Sequence, residues 1–199
     1  WYAQDIYLSS FDADDHTLIG STYFGGSYSE SLRALELDLA GNAYIAGDTG
    51  SNDLPVTPGA IDPGLWGYYD GYVASLTADL DSLRWCTYLG HDKFNIVNAL
   101  EYDPDGYLYV GMGGWFGPFD FAHGPGHDAV VFKLNADDGS QVWCGSVGEG
   151  YIMSLQLTAD GGLLVAGGTQ NAVALSEGAY DTIRNGVSDL FVIKLDKDD

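Results

Sequence analysis

The most informative stretch of this chain is Asp70-Gly71-Tyr72-Val73-Ala74-Ser75-Leu76. It begins with an aspartate and then alternates apolar with variable residues, a period-two pattern that predicts a β-strand with one buried face. The pattern returns at Asp5-Ile6-Tyr7-Leu8-Ser9-Ser10-Phe11, Asp128-Ala129-Val130-Val131-Phe132-Lys133-Leu134 and Asp189-Leu190-Phe191-Val192-Ile193-Lys194-Leu195. Successive first aspartates are 65, 58 and 61 residues apart, so the chain contains a repeat of about sixty residues.

Each repeat contains more than this one strand. A turn rich in Asp, Asn and Gly joins it to a second strand, for example Leu83–Gly90, and this arrangement predicts a hairpin. Another hairpin completes the unit, with Leu32–Asp38 and Ala43–Gly47 as its strands in the first copy. No segment shows a sustained helical period. The sequence therefore predicts an all-β fold of thirteen strands, grouped as two, four, four and three.

Tandem units of four short antiparallel strands are typical of β-propellers, because one such sheet buries both faces only when neighbours stack around an axis. We therefore expect one propeller-like domain over residues 1–199, with units at about 5–69, 70–127 and 128–188 and the start of a fourth at 189–199. A closed propeller has about four to eight blades. About three units thus predict exposed sheet edges and an uncovered flank of apolar surface. The chain is then either a segment of a larger propeller or one of several copies that assemble.

A family resemblance supports this architecture. The SBBP-type β-propeller repeat is similar to Leu37-Asp38-Leu39-Ala40-Gly41-Asn42-Ala43-Tyr44-Ile45-Ala46-Gly47, to Leu54-Pro55-Val56-Thr57-Pro58-Gly59-Ala60 and to Thr87-Tyr88-Leu89-Gly90. The later copies depart from the proline-threonine loop at 115–119 and 170–174. The resemblance implies a bacterial or archaeal module that is extracellular, periplasmic or on the cell surface. Its implied partners are protein subunits or the remainder of a longer chain.

Charge narrows the classes of partner. The 199 residues include 7 Lys and Arg against 29 Asp and Glu, which gives a net charge of −22 at pH 7. A field of this sign opposes binding to nucleic acid or to an anionic lipid surface. No stretch reaches the roughly 20 apolar residues that a membrane-spanning helix needs. We therefore expect neither nucleic-acid binding nor direct membrane insertion.

Several polar residues are candidates for metal binding. His123 and His127 flank a Gly-Pro-Gly turn and could ligate zinc, or could belong to a polar loop between strands. Acidic turns could supply oxygen ligands to calcium, although Asp also favours turns for local backbone reasons. The calcium candidates are Asp103, Asp105, Asp137 and Asp138. No other cofactor is predicted.

The two cysteines occupy matching positions of neighbouring repeats. Equivalent positions on adjacent blades diverge from the axis, and a disulfide needs Cα atoms within roughly 7 Å. We therefore expect Cys86 and Cys144 to be free thiols beside Trp85 and Trp143.

Loop aromatics are the candidate ligand-binding residues. They are Trp66, Tyr68, Tyr69, Trp115 and Phe116. Aromatic side chains on the loops of a rigid scaffold suit sugars or protein anchors. The alternative is that these rings fill gaps between adjacent blades.

The chain contains no G-x-S-x-G elbow, H-E-x-x-H helix or P-loop, and we predict no catalytic residues. The predicted function is a non-enzymatic structural or protein-interaction module. A carbohydrate-binding propeller is the alternative. A further alternative is a hydrolase or a quinoprotein-type enzyme, since Leu134–Trp143 is similar to the turn-and-tryptophan signature of quinoprotein propellers.

Overall fold

The computed structural model describes residues 3–90, 94–116, 126–169, 176–181, 183 and 185–196, with only the backbone of residues 115, 116, 126 and 127. The described residues contain no helix and form thirteen strands in antiparallel ladders, which confirms the all-β prediction and the strand count. In chain order the strands are β1 (Ile6–Phe11), β2 (Leu18–Phe24), β3 (Glu30–Leu37), β4 (Ala43–Thr49), β5 (Asp70–Leu76), β6 (Leu83–Leu89), β7 (Asn95–Asp103), β8 (Tyr107–Phe116), β9 (Gly126–Asn135), β10 (Gln141–Glu149), β11 (Tyr151–Leu157), β12 (Gly162–Thr169) and β13 (Asp189–Asp196).

The strands pair mainly with their neighbours in the chain. β1 and β2 form a two-stranded sheet, named here the N-terminal hairpin, and β3 to β6 form a four-stranded sheet, named unit A. β7 to β10 form a second meander, unit B, and β11 to β13 form a shorter one, unit C. The order of strands in space therefore follows their order in the sequence.

Units B and C are joined into one seven-stranded sheet, whereas the repeat predicts separate units. The join is a single bridge between Tyr151 of β11 and Gly113 of β8. A Cβ atom built at Gly113 would lie 2.4 Å from the Cβ of Tyr151, which is closer than two carbon atoms can pack. The absence of a side chain at Gly113 therefore lets the two meanders touch.

Aspartates and glycines close the hairpins for local reasons. Asp38 Oδ1 accepts a hydrogen bond from the backbone N–H of Asn42 at 2.8 Å, and Gly41 in the same turn has a positive φ of 84°. The turn after β7 is similar, since Asp103 Oδ1 accepts the backbone N–H of Asp105 at 3.0 Å. Such turns reverse the chain within a few residues and so determine which strands pair.

Alternation along the strands gives every sheet two distinct faces. We name the forward face as the one that carries Leu8 in the N-terminal hairpin, Val73 in unit A, Val131 in unit B and Val192 in unit C. The rear face carries the alternate residues, such as Tyr72 in unit A. Both faces of units A and B are apolar, which predicts that both are covered.

The core consists of three clusters, and each lies between two consecutive units, with the N-terminal hairpin counted as the first. The forward face of the N-terminal hairpin packs on the rear face of unit A through Ile6, Leu8, Phe24, Ile45, Tyr72 and Ala74, among others. The forward face of unit A packs on the rear face of unit B through Tyr44, Val73, Trp85, Val97, Val110, Val130 and Phe132, among others. The forward face of unit B packs on the rear face of unit C through Tyr109, Val131, Ile152, Leu155, Val165 and Phe191, among others.

The first strand of each unit lies against the preceding sheet. β7 contacts β3, β4 and β5 of unit A, and β11 contacts β7, β8 and β9 of unit B. A polar contact reinforces the first of these interfaces, because the indole N–H of Trp85 donates to the backbone carbonyl of Ala136 at 2.9 Å. In the same place Arg84 Nη2 lies 3.2 Å from Asp137 Oδ1. The turn between β9 and β10 is thus attached to the outer strand of unit A.

Candidate functional site

A cavity of about 690 Å³ opens where the first strands of the three units come together. β3 supplies Leu32 and Arg33, β7 supplies Ile96 and Asn98, and β11 supplies Tyr151 and Met153 to its wall. Phe94, just before β7, Gly113 and Gly114 of β8, and Gly150, just before β11, complete the lining. We call this cavity the central funnel.

Arg33 and Asn98 of the central funnel already have partners within the protein. Arg33 Nε donates to Asp48 Oδ1 at 2.5 Å, so the positive charge is neutralised by a largely buried carboxylate. Asn98 Nδ2 donates to the backbone carbonyl of Ile152 at 3.0 Å, which connects β7 to β11. The remaining wall is largely apolar. A surface of this kind can bind an apolar or aromatic-stacking group.

Three aromatic rings stack at the rim of the central funnel. The Phe94 ring lies 5.9 Å from the ring of Tyr68 and 5.8 Å from that of Tyr69, with interplanar angles of 25° and 12°. The backbone holds two of them together, because Asn95 N–H donates to the Tyr69 carbonyl at 3.0 Å. Tyr68 is 74% exposed and Phe94 is about half exposed. We call these three residues the aromatic stack.

Trp66 is oriented by two aspartates of the same loop. Its indole N–H donates to Asp62 Oδ1 at 2.7 Å, and its backbone N–H donates to Asp70 Oδ2 at 2.7 Å. Burial raises the pKa of the Asp70 carboxyl, which lies at the start of β5. The Trp66 side chain remains 64% exposed. Its ring is therefore held in place by hydrogen bonds while remaining accessible to solvent.

The loop aromatics thus divide into two groups. Trp66 and Tyr68 are exposed and do not fill a gap between sheets, whereas Tyr69 is half-buried beside Phe94. Trp115 and Phe116 end β8, and their side chains lie outside the described residues. Sequence reasoning missed Phe94. The signal that could have revealed Phe94 is its position directly before β7, the first strand of unit B. Unit A also has an aromatic residue, Tyr28, two positions before its first strand β3.

The acidic calcium candidates take part in turns and an ion pair. Asp103 accepts the Asp105 backbone N–H, and Asp137 pairs with Arg84. Asp138 Oδ1 accepts both the backbone N–H and the hydroxyl of Ser140, which lowers the pKa of its carboxyl. Among the residues that the structure describes, no group of three or more His, Cys, Asp or Glu is arranged to hold a metal ion. Calcium binding stays a prediction.

The zinc candidates lie largely outside the described part of the chain. His123 is outside it altogether. His127 contributes its backbone to the β8–β9 ladder opposite Trp115, and its side chain is outside the description. Cys86 and Cys144 are free thiols, the first buried and the second half-buried. Burial raises the pKa of the Cys86 thiol to about 12, so it is neutral and unreactive at physiological pH.

Two apolar sheet faces are open at the ends of the stack. On the forward face of unit C, Leu190 is 83% and Val192 is 70% exposed, although the equivalent Val73 and Val131 are fully buried. On the rear face of the N-terminal hairpin, Tyr7, Phe11 and Tyr23 are each more than half exposed. Exposed apolar patches of this kind mark interaction surfaces. Sequence reasoning predicted open flanks and did not name these residues.

Comparison with known proteins gives no family for this chain, because no protein-family model and no curated protein matches it. The described residues include no helix that is both long and apolar enough to cross a membrane. The likeness to the SBBP repeat therefore stays a prediction.

Proposed function

We propose that this chain is a propeller segment that serves as a non-enzymatic structural or protein-interaction module in an extracellular or cell-envelope assembly. One observation carries the proposal. The N-terminal hairpin and units A, B and C pack forward face on rear face three times, and the same two kinds of face are open at the ends.

A propeller arrangement accounts for the positions of the first strands. β3, β7 and β11 share the wall of the central funnel, as the innermost strands of adjacent blades would. β7 and β11 each also lie across the sheet before them. Units A and B therefore each supply half of two interfaces and unit C supplies half of one, so the core is shared between neighbouring units.

The open faces favour a protein partner. Covering apolar surface stabilises a complex by roughly 25 cal/mol per Å², and Leu190 and Val192 present such surface on a rigid sheet. The net charge of −22 opposes adsorption to nucleic acid or anionic lipid. The SBBP resemblance supports a secreted or surface setting, and protein surfaces that are not strongly acidic are the partners that remain.

Photo-crosslinking tests this proposal in the cells that make the protein. A benzophenone amino acid replaces Val192 in the full natural chain, and the matched control carries it at Asp137, which is exposed on a polar turn. We expect several-fold more crosslinking from position 192, to another protein or to another part of a longer chain, in the secreted or envelope fraction. Equal yields from the two positions, or products confined to the cytoplasm, would contradict the proposal.

A second candidate function is carbohydrate binding, which the aromatic stack favours. Tyr68, Tyr69 and Phe94 present stacked rings at the rim of the central funnel, and the Trp66 ring is fixed and exposed. Rigid aromatic surfaces of this kind suit the apolar faces of sugar rings.

Tryptophan fluorescence with a panel of neutral oligosaccharides tests the carbohydrate function. We expect at least one sugar to change the tryptophan emission of the parent chain and Trp66→Phe to abolish that change. Tyr68→Ala should weaken the binding by about tenfold, or about 1.4 kcal/mol. Tyr180→Ala is the matched control, since Tyr180 is fully exposed away from the stack. Fluorescence that ignores every sugar would rule this function out.

A further inference from the structure

The two open faces of this chain are the two halves of one kind of interface. We infer that the forward face of unit C binds the rear face of the N-terminal hairpin in a second copy of this chain, so that copies associate head to tail. The inference rests on the proposed function and names its partner and surfaces. Its argument is that the chain already forms this interface three times internally.

The forward face of unit C is an apolar stripe on a regular ladder. Val192 lies opposite Ala166, and Lys194 lies opposite Leu164, so these side chains share one face of the sheet. The alternate residue Phe191 is buried against unit B. Leu190 and Val192 are therefore apolar forward positions that no sheet among the described residues covers.

The single lysine on this stripe does not oppose docking. The Lys194 ammonium group forms an ion pair with Asp160 on the neighbouring turn. The equivalent residue of unit B is Lys133, which is buried on a forward face that unit C covers. A lysine at this position is thus compatible with a covered forward face.

The rear face of the N-terminal hairpin carries the same kind of side chain as a rear face that is covered within the chain. Tyr7 and Tyr23 are paired across β1 and β2, and their ring centroids lie 5.4 Å apart. Tyr7 is the repeat equivalent of Tyr72, which is fully buried in unit A. There the Tyr72 ring packs 5.5 Å from Phe24, which lies on the forward face of the hairpin. Within the chain, a tyrosine at this repeat position therefore already packs against a forward face.

The geometry makes the association heterologous. The forward face of unit C differs from the rear face of the N-terminal hairpin, and each copy carries one of each. Every added copy therefore presents a new open face. The assembly either closes into a ring or continues as a chain of copies. Association through two identical faces would instead stop at a dimer.

Sedimentation of the purified 199-residue chain over a range of concentrations tests the inference. We expect the average mass to rise with concentration beyond that of one chain. Val192→Glu blocks the forward face and Tyr23→Glu blocks the rear face, and each variant alone should stay monomeric. Val187→Glu, in the exposed loop before β13, is the matched control and should associate like the parent chain. Unchanged circular dichroism and melting temperature show that each variant is folded.

A mixture of the two blocked variants gives the sharpest outcome. Tyr23→Glu keeps an intact forward face and Val192→Glu keeps an intact rear face, so the mixture should form dimers and nothing larger. A monomeric parent chain, or a Tyr23→Glu variant that associates as well as the parent, would overturn the inference. If crosslinks from position 192 in cells then reach a different protein, the inference fails while the proposed function stands.

Discussion

Unit A and unit C are built from the same alternating strand and have different surroundings. Val73 of β5 is fully buried, whereas Val192 at the equivalent place in β13 is 70% exposed. Unit A lies between the N-terminal hairpin and unit B, while unit C has a neighbouring sheet on its rear face alone among the described residues. The comparison shows that a strand of this repeat acquires its burial from the next sheet and not from its own hairpin.

The largest expected difference between a covered and an open forward face is the loss of stability on introducing a charge. Val131→Asp places a carboxylate in the closed interface between units B and C, and we expect it to lower the free energy of unfolding by about 3–5 kcal/mol. Val192→Asp, the matched control, changes a position that is in solvent in the single chain and should cost less than about 0.5 kcal/mol at protein concentrations where the parent chain is monomeric. Urea unfolding followed by fluorescence measures both. Equal losses would mean that the two forward faces are equally buried.

The two tryptophans of the forward faces provide a finer comparison. Trp85 is buried and donates its indole N–H to the Ala136 carbonyl, while the indole N–H of Trp143 has no hydrogen-bond partner among the described residues. We expect Trp85→Phe to cost about 1–3 kcal/mol of unfolding free energy and Trp143→Phe to cost clearly less. Urea midpoints of the two variants, each compared with the parent, give the answer. A larger loss of unfolding free energy for Trp143→Phe than for Trp85→Phe would contradict the stabilising role assigned to the Trp85 hydrogen bond between units A and B.

The smallest expected effect is the pH dependence of stability that comes from the buried carboxyl of Asp70 at the start of β5. Burial raises the pKa of Asp70 in the folded protein, so the folded state keeps its proton to a higher pH than the unfolded chain does. Stability from this group is therefore present at low pH and falls as pH rises from about 3.9 through the raised pKa. Asp70→Asn should remove that fall, so its stability relative to the parent should increase across this window.

Ser75→Ala is the control for the pH experiment, because Ser75 is buried in the same strand as Asp70 and carries no charge. Its unfolding free energy should follow the pH dependence of the parent chain. Melting temperatures from pH 3.5 to 7 provide the readout. Parallel curves for the parent and Asp70→Asn would show that the Asp70 carboxyl does not titrate differently in the two states.

Much of the fold could be predicted from the sequence because its signals are local. The alternation of Asp70–Leu76 identifies a strand and its two faces, and the turn chemistry of Asp38 and Gly41 identifies a hairpin. The bridge between Tyr151 and Gly113 could not be predicted, since it joins residues of different repeats through the space left by a missing side chain.

The candidate sites depend more heavily on contacts that sequence does not record. Trp66 and Tyr68 could be named as loop aromatics, whereas the role of Phe94 follows from its pairing with Tyr69, 25 residues earlier in the chain. The exposure of Val192 was equally hidden, because its sequence neighbourhood is as regular as that of Val131. Val131 is buried because unit C covers it, whereas no described unit covers Val192.

The stacking of consecutive sheets is tested most directly by NMR contacts from two glycines on forward faces. A Cβ at Gly71 of unit A would lie 2.9 Å from Val97 Cγ2 of unit B, and one at Gly111 of unit B would lie 2.5 Å from Ile152 Cγ2 of unit C. One α-proton of each glycine points in that direction, so we predict strong NOEs from Gly71 to the Val97 methyl and from Gly111 to the Ile152 methyl. Glycine α-protons with NOEs only inside their own units would contradict the account.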